Sequence, residues 1–190
     1  MTDEQIQKII SGDREAFKQL VELFQKQITS VCSGYVRNKE TAEDLAQDVF
    51  VEVFRSIKNF RSESKISTWI YRIAITKCID HTRKEKSKKR FGSIKQLFGI
   101  ESKSVLSLPS KDINPAKEIE DDERRRILYD ALERIPESQR IAITLHKIEE
   151  LNHAEIAKIM GVSVSAVESS MHRGKVNLRK QLHKYFEKKA

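Results

Sequence analysis

The stretch "HAEIAKIMGVSVSAVESSMHRGK", residues 153–175, has the residue spacing of a helix-turn-helix. Ala157 is a small residue at the point where two short helices would cross. Gly161 stands in the turn between them, where the backbone needs a residue that tolerates positive φ. Val167 follows six residues later and would lock the second helix onto a hydrophobic core. The stretch therefore predicts two helices joined by a tight turn.

The signals at the helix ends agree with this pattern. Asn152 and Glu155 have the spacing of a capping box for the first helix, and Ser163 is a good N-cap for the second. An ordinary helical hairpin would show the same signals. Residues 171–190, however, contain seven Lys and Arg residues against one acidic residue. This basic segment favours DNA binding.

A helix-turn-helix presents the exposed, N-terminal part of its second helix to base edges in the major groove. Residues further along that helix meet the phosphates. The base-edge candidates are Ser165, Glu168, Ser169 and His172, and the phosphate candidates are Arg173, Lys175 and Arg179. Glu168 has two open interpretations: it is a solvated charge, or it accepts a hydrogen bond from a cytosine amino group.

The rest of the sequence predicts more helices. Only 6 Gly and 3 Pro occur among 190 residues, which favours long helices over turn-rich β structure. Apolar residues recur at helical spacing after Asp13 and again over residues 41–57, where the predicted buried stripe includes Phe54. Another helix is predicted from Pro115, with Leu128 on its buried side.

The chain divides into two parts at a segment without helical periodicity. Residues 91–117 contain two Gly and two Pro with many Ser and Lys residues, and we interpret them as a flexible linker. The predicted fold is all-α, with two small helical domains at residues 1–90 and 118–190.

Charge in the first domain is segregated. Residues 61–90 contain ten Lys and Arg residues against three acidic ones, together with aromatic residues that could stack on single-stranded bases. Trp69 has the alternative interpretation of a core anchor. The acidic flank of the helix over residues 41–57 is a solvated face, a metal site or a docking site for a basic partner, of which the metal site is the least favoured.

Several functional classes lack the residues that they need. The five His residues show no HxxH or HExxH spacing, and neither a phosphate-binding glycine loop nor a catalytic constellation occurs. Cys32 and Cys78 form no CxxC motif and predict two reduced core thiols. We expect no enzymatic activity, cofactor, metal or small-molecule substrate. Without a signal peptide or a membrane-length apolar run, we expect a soluble cytoplasmic protein with no membrane insertion.

Three segments carry a family resemblance. They are "AEDLAQDVFVEVF" (residues 42–54), "FRSESKISTWIYRIAITKCIDHTRKEK" (60–86) and the run from "LERIPESQRIAITL" at residue 132 through the helix-turn-helix to residue 182. Together they resemble bacterial RNA polymerase sigma factors of the small extracytoplasmic-function (ECF) group. The resemblance covers nearly all of the chain outside the linker, with residues 10–90 similar to region 2 and residues 118–186 similar to region 4.

The resemblance implies a transcription initiation factor, which binds core RNA polymerase and directs it to promoters. The first domain would dock on the β′ coiled coil and the second on the β flap, and an anti-sigma factor is an expected further partner. The implied docking residues are Asp44, Gln47, Asp48 and Glu52.

The resemblance also implies two promoter-binding sites. The minus-10 element would be opened and read by Phe60, Arg61, Ser64, Lys65, Trp69, Arg72, Thr76, Lys77, Asp80 and Arg83. The minus-35 element would be read as duplex by Ser163, Ser165, Glu168, Ser169, His172, Arg173 and Lys175.

Three positions depart from the family pattern. Thr76 stands where relatives would carry Asn, and Glu168 and Ser170 stand where relatives tend to be basic. The preferred promoter sequence is therefore not predicted. Two alternatives to a sigma factor are a free-standing regulator that binds duplex operators as a dimer, and a nucleic-acid enzyme. The sequence shows neither a receiver or dimerisation segment for the first nor catalytic residues for the second.

Overall fold

The computed structural model describes residues 1–97 and 115–187, and this part of the chain is helical without any strand. Nine elements follow one another. They are α1 (Asp3–Ile10), α2 (Arg14–Ser33), α3 (Lys39–Ser56), a 3₁₀ turn (Ile57–Asn59), α4 (Ile66–Leu97), α5 (Pro115–Glu133), α6 (Glu137–Ile148), α7 (His153–Met160) and α8 (Val164–Glu187). The predicted all-α fold class is confirmed. Within the same residues, none of the helices is both long and apolar enough to span a bilayer.

The first bundle is formed by α1 to α4. Leu20 and Ile28 of α2, Val49 and Val53 of α3 and Ile70 of α4 are all fully buried between these helices. The helical spacing of the sequence predicts that each of these residues is buried. In the 20-residue α2, the buried residues continue beyond Leu20 and Ile28 in both directions along the helix. A fully buried aliphatic side chain stabilises the folded state by about 1.5–3 kcal/mol, so these residues hold the bundle together.

The second bundle consists of α5 to α8 and contains the predicted helix-turn-helix in α7 and α8. Ala157 and Val167 are buried at the crossing of the two helices, as the sequence predicts. Gly161 ends α7 with φ +67° and ψ 35°, in the left-handed region. The capping box is present as well: Asn152 accepts from the amide of Glu155 at 3.0 Å, and Glu155 accepts from the amide of Asn152 at 3.2 Å.

Some local expectations were wrong. Phe54 was expected in the core but is 54% exposed, because its position faces a groove between α2 and α3. Leu128 of α5 is likewise exposed rather than buried. Helix α1 was missed, although Thr2 and Gln5 form a capping box that the sequence displays.

The predicted linker also overlaps the helices on either side of it. Helix α4 continues to Leu97 and α5 begins at Pro115, so helix occupies both ends of the predicted segment 91–117. The remainder of that predicted linker, residues 98–114, lies outside the described residues.

The two bundles pack against each other. Arg140 of α6 is only 4% exposed and donates from Nε and Nη2 to the carbonyl of Gly34, at 3.0 and 2.7 Å. Gly34 lies at the C-terminus of α2, where an added Cβ would come within 3.0 Å of Thr144 Cγ2. An ion pair between Arg37 and Asp130, at 2.8 Å, borders the same contact. Buried residues of both bundles therefore belong to one continuous core.

We predict that Gly161→Ala lowers the free energy of unfolding by about 1 kcal/mol, because alanine adopts the left-handed conformation only at a steric cost. No heavy atom lies within 4 Å of the position that an added Cβ would occupy, so the cost is conformational and not a clash. Gly161→Asn is the matched control, since asparagine tolerates this conformation and should cost much less. Chemical denaturation of the three proteins measures the difference. Equal losses for Ala and Asn would contradict the conformational explanation.

Candidate nucleic-acid interface

Helix α8 presents the predicted minus-35 residues on one exposed surface. Val167 and Met171 are buried and hold the helix on its bundle. The turn before it is fixed by Ser163, whose hydroxyl accepts from the amide of Ala166 at 3.2 Å. All seven predicted residues are exposed: Ser163, Ser165, Glu168, Ser169, His172, Arg173 and Lys175. The structure thus brings this set together as the sequence predicts.

Glu168 has a neighbour from another helix. His153, the first residue of α7, places its Nδ1 at 3.6 Å from Oε1 of Glu168. Both side chains remain partly exposed. Sequence reasoning missed His153, since the two residues meet only through the crossing of α7 and α8.

Three exposed valines accompany the polar residues of this surface. Val162 and Val164 flank Ser163 at the start of α8, and Val176 lies further along the helix. Apolar side chains in the major groove contact the thymine methyl group. These valines are absent from the sequence-predicted set, which contains only polar and charged side chains.

The predicted minus-10 residues are split between the core and the surface. Phe60 is 8% exposed and packs on Trp69, with the two ring centroids 5.4 Å apart. Trp69 is half-buried against the core, which agrees with the core-anchor alternative. Arg61 and Lys65 are exposed in the loop before α4, and Ser64 is half-buried there.

The loop contains an unusual backbone conformation. Ser62 has φ +56°, a region that a residue other than glycine seldom adopts. Such conformations cost about 1–3 kcal/mol and are concentrated at ligand-binding segments. The loop from Arg61 to Lys65 is therefore a strained, exposed segment at the N-terminus of α4.

Three cations of the predicted minus-10 set are engaged by the second bundle. Lys65 lies 3.9 Å from Glu155, and Arg83 lies 3.4 Å from Glu137. Arg72 donates from Nε to the carbonyl of Lys158 at 3.1 Å.

The remaining members of that set lie within the first bundle. Thr76 donates its hydroxyl to the carbonyl of Arg72 at 2.9 Å, and Asp80 is exposed. Lys77 donates to Glu52 at 2.8 Å, so it faces α3. The structure therefore does not gather all ten residues on one open surface.

A buried tyrosine adds to the contact between the bundles. Tyr71 of α4 donates its hydroxyl to Glu149, at 2.9 Å from Oε2. Burial and the adjacent carboxylate raise the pKa of Tyr71, so the phenol stays protonated. Burial also raises the pKa of Glu149, against the opposing effect of this hydrogen bond.

The predicted polymerase-docking residues differ in their exposure and in their partners. Asp44, Gln47 and Asp48 are exposed on α3. Glu52 is partly covered, and the hydrogen bond from Lys77 lowers the pKa of its carboxyl group. Because Lys77 neutralises it, Glu52 contributes little to the acidic surface that a partner would meet.

A groove between α2 and α3 adjoins these residues and was missed by the sequence analysis. It encloses about 1160 Å³. Its apolar lining includes Val51 and Phe54, which are 47% and 54% exposed, and the Phe54 ring meets Phe17 edge-on at 5.0 Å. The apolar residues of the lining are Phe17, Val21, Ala46, Phe50, Val51 and Phe54. Exposed apolar side chains concentrated in one groove indicate a protein-binding surface.

The two thiols lie together in the core of the first bundle. Cys78 donates to Cys32 with 3.8 Å between the sulfur atoms, and both residues are fully buried. This hydrogen bond and burial raise the pKa of Cys78 well above its usual range, which keeps it protonated. Among residues 1–97 and 115–187, no group of three or more His, Cys, Asp or Glu residues is arranged to hold a metal ion.

Comparison with known proteins matches both bundles to sigma-factor families. Residues 20–88 match Sigma-70 region 2, and residues 125–178 match Sigma-70 region 4. The fold resembles two solved structures, which establish the fold alone at these identities. CnrH in complex with the cytosolic domain of CnrY has a TM-score of 0.67 and 21% identity over 94% of this chain and 95% of that one. The sigma factor RpoE in complex with the anti-sigma factor NepR from Bartonella quintana has a TM-score of 0.56 and 20% identity over 88% and 96%.

Curated relatives are similar to this protein along almost the whole chain. The ECF RNA polymerase sigma factor SigW of Bacillus subtilis is 31% identical over 96% of this chain and 97% of its own length. The ECF RNA polymerase sigma-E factor of Escherichia coli K12 is 30% identical over 90% and 88%. These matches favour a transcription initiation factor over a free-standing operator-binding regulator. The chain belongs to the ECF group of RNA polymerase sigma factors.

Proposed function

We propose that the two bundles of this sigma factor read the two promoter elements, while the groove between α2 and α3 binds core RNA polymerase. The observation that carries the proposal is the recognition surface of α8, whose predicted residues are all exposed. The proposed functional units are residues 1–90 and 118–190, joined by residues 91–117. Their role is binding, and the proposal includes no catalytic step by the chain itself.

In the proposed minus-35 site, the N-terminal half of α8 enters the major groove. Ser165, Glu168, Ser169 and His172 meet base edges, and the Val164 side chain is placed to contact a thymine methyl group. Arg173 and Lys175 neutralise phosphates, and Ser163 lies at the helix N-terminus, which also attracts phosphate. Glu168 accepts a hydrogen bond from a cytosine amino group.

In the proposed minus-10 site, the strained loop and the exposed face of α4 meet the opened strand. Arg61, Ser64 and Lys65 supply the loop contacts, and α4 adds cations and polar side chains. Phe60 and Trp69 support the loop from the core, because the structure buries Phe60 under the indole. The α4 side chains of the proposal are Arg72, Thr76, Lys77, Asp80 and Arg83.

The proposed polymerase site combines apolar and acidic surface. The β′ coiled coil would lie across Val51 and Phe54, while Asp44 and Asp48 meet basic residues of the partner and Gln47 hydrogen-bonds at the groove. A desolvated apolar centre with a charged border is the usual distribution of binding energy in a protein interface. The second bundle would contact the β flap.

In the structure the two bundles pack against each other, which is the closed arrangement. They must separate before both promoter elements can be read. The element names place their centres about 25 base pairs apart, roughly 85 Å along B-form DNA at about 3.4 Å per base pair. In the structure, the α4 residue Arg72 contacts the end of α7, and α8 packs directly on α7. Adjacent helices pack about 8–10 Å apart, so the two reading surfaces lie far closer together than the promoter requires.

Regulation and location follow from the same proposal. One solved structure that shares this fold is a sigma factor bound to an anti-sigma factor, and we propose that this chain also binds such a partner. Because the polymerase and the promoter are cytoplasmic in bacteria, we place the protein in the cytoplasm.

The first test uses purified chain with core RNA polymerase and a library of promoter sequences. We expect transcripts from a restricted set of promoters only when both components are present, because neither alone supplies both catalysis and promoter selection. Sequencing of the transcripts measures the selection. Duplex operator binding by the chain alone, with no association to core polymerase, would overturn the proposal.

A second prediction concerns the groove. Val51→Glu should weaken binding to core polymerase at least about tenfold, since a buried charge at an interface centre costs at least about 1.4 kcal/mol. Leu23→Glu is the matched control, because Leu23 is equally exposed on α2 but does not line the groove. A fluorescence titration against core polymerase measures both affinities. Equal affinities for the two variants would remove the groove from the proposed site.

A third prediction concerns the separation of the two bundles on binding to core polymerase. Spin labels at Lys58→Cys and His183→Cys, both exposed positions, report the separation of the bundles, while the buried native thiols remain unlabelled. The isolated protein should give the shorter distance of the packed bundles, and this distance should lengthen by tens of ångströms in the complex with core polymerase. Arg140→Gln should shift the isolated protein towards the long distance, because the guanidinium contacts to Gly34 are lost.

Arg134→Gln is the control for this measurement, since Arg134 is an exposed arginine of the same bundle. It should keep the short distance. A short distance that persists in the polymerase complex would rule out opening, and an Arg140→Gln protein identical to the parent would show that Arg140 does not hold the bundles together.

A further inference from the structure

His153 lies where it can orient the one acidic side chain of the recognition surface. It is the first residue of α7, and its Nδ1 is 3.6 Å from Oε1 of Glu168, one turn into α8. Resting on the proposed reading of a base by Glu168, we propose that His153 is a positioning residue that sets the base preference of the minus-35 site by holding the Glu168 carboxylate in one orientation.

The backbone on both sides of this pair is fixed. The capping box of Asn152 and Glu155 determines where α7 begins, and therefore where the His153 side chain leaves the helix. Ala157 and Val167 are buried at the crossing and set the register between α7 and α8. The distance between His153 and Glu168 is thus a property of the helix-turn-helix core and not of a mobile loop.

A second imidazole supports the first. His146 of α6 places Nδ1 at 3.0 Å from the carbonyl of Leu151, which accepts the hydrogen bond and fixes the ring. The His146 ring is 5.5 Å from the His153 ring, inclined by 51°. Three helices therefore contribute to the orientation of one carboxylate: α6 through His146, α7 through His153 and α8 through Glu168.

The pair matters for recognition more than for stability. An exposed ion pair contributes only about 0–1 kcal/mol to folding. A free glutamate, in contrast, loses about 1.5–2 kcal/mol of rotamer entropy when DNA fixes it, and a partner that limits its rotamers beforehand reduces that loss.

The test measures base preference with the full chain bound to core polymerase. Promoters randomised across the minus-35 element are selected by transcription and sequenced. Glu168→Ala should relax the preference at one position, and His153→Ala should relax the same position by about threefold to tenfold, the share of a 1–3 kcal/mol base contact that orientation supplies. The double variant should match Glu168→Ala, since both changes remove the same contact.

Three further variants make the result specific. His153→Gln keeps a hydrogen-bond donor and should largely restore the preference of the parent, whereas His153→Leu, of similar size, should not. His183→Gln is the matched control, because His183 also pairs with a glutamate on α8, Glu187, at 3.2 Å but beyond the proposed reading surface. It should leave base preference unchanged.

The outcomes separate this inference from the proposed function. If Glu168→Ala relaxes one position and His153→Ala leaves that position unchanged, or lowers binding equally at all sequences, the role of His153 is overturned while base reading by Glu168 stands. If neither variant changes any preference, then base reading by Glu168 is itself wrong. Transcription by the parent protein from selected promoters is independent of both results.

Discussion

The contact between Arg140 and the carbonyl of Gly34 joins the two halves of the molecule. A guanidinium group that is almost fully removed from water must find acceptors or aromatic faces, because burial of an unsatisfied charge is very costly. Here it donates twice to Gly34 and lies 4.4 Å from the centre of the Tyr35 ring. A Cβ at position 34 would lie only 3.0 Å from Thr144 Cγ2, so glycine permits this close approach without displacing Thr144. Burial raises the pKa of Tyr35, so its phenol stays neutral beside the cation.

The two proposed DNA sites differ in accessibility as a result of this packing. The predicted residues of the α8 surface are all exposed, so the packing of the two bundles leaves them uncovered. The face of α4 is turned towards α6 and α7, where carboxylates and a helix-end carbonyl take the places that DNA phosphates would occupy. When the bundles are packed together, the cations of α4 on this face therefore pair with groups of the second bundle.

Much of the helix-turn-helix was predictable because its signals are local. The Asn152 capping box, the left-handed Gly161 and the buried Val167 each depend on neighbours a few residues away. Some errors arose where the answer depends on distant residues. The helical period places Phe54 beside the core, but whether it is covered depends on how α2 and α3 pack, and Phe54 lines the groove between them. The predicted helix over residues 41–57 also begins too late, because Asn38 caps α3; that cap is a local signal and does not depend on distant residues.

The sequence by itself determined the all-α fold, the two-part organisation, the family and the exposed polar face of α8, because helical periodicity, capping and motif spacing are short-range properties. Only the tertiary structure decided that Glu52 is neutralised by Lys77, that Glu168 faces His153 and that the α4 cations are held by the second bundle. Those pairs join residues between 15 and 86 positions apart along the chain. Composition and periodicity carry no information about such distances, which are fixed by how whole helices pack.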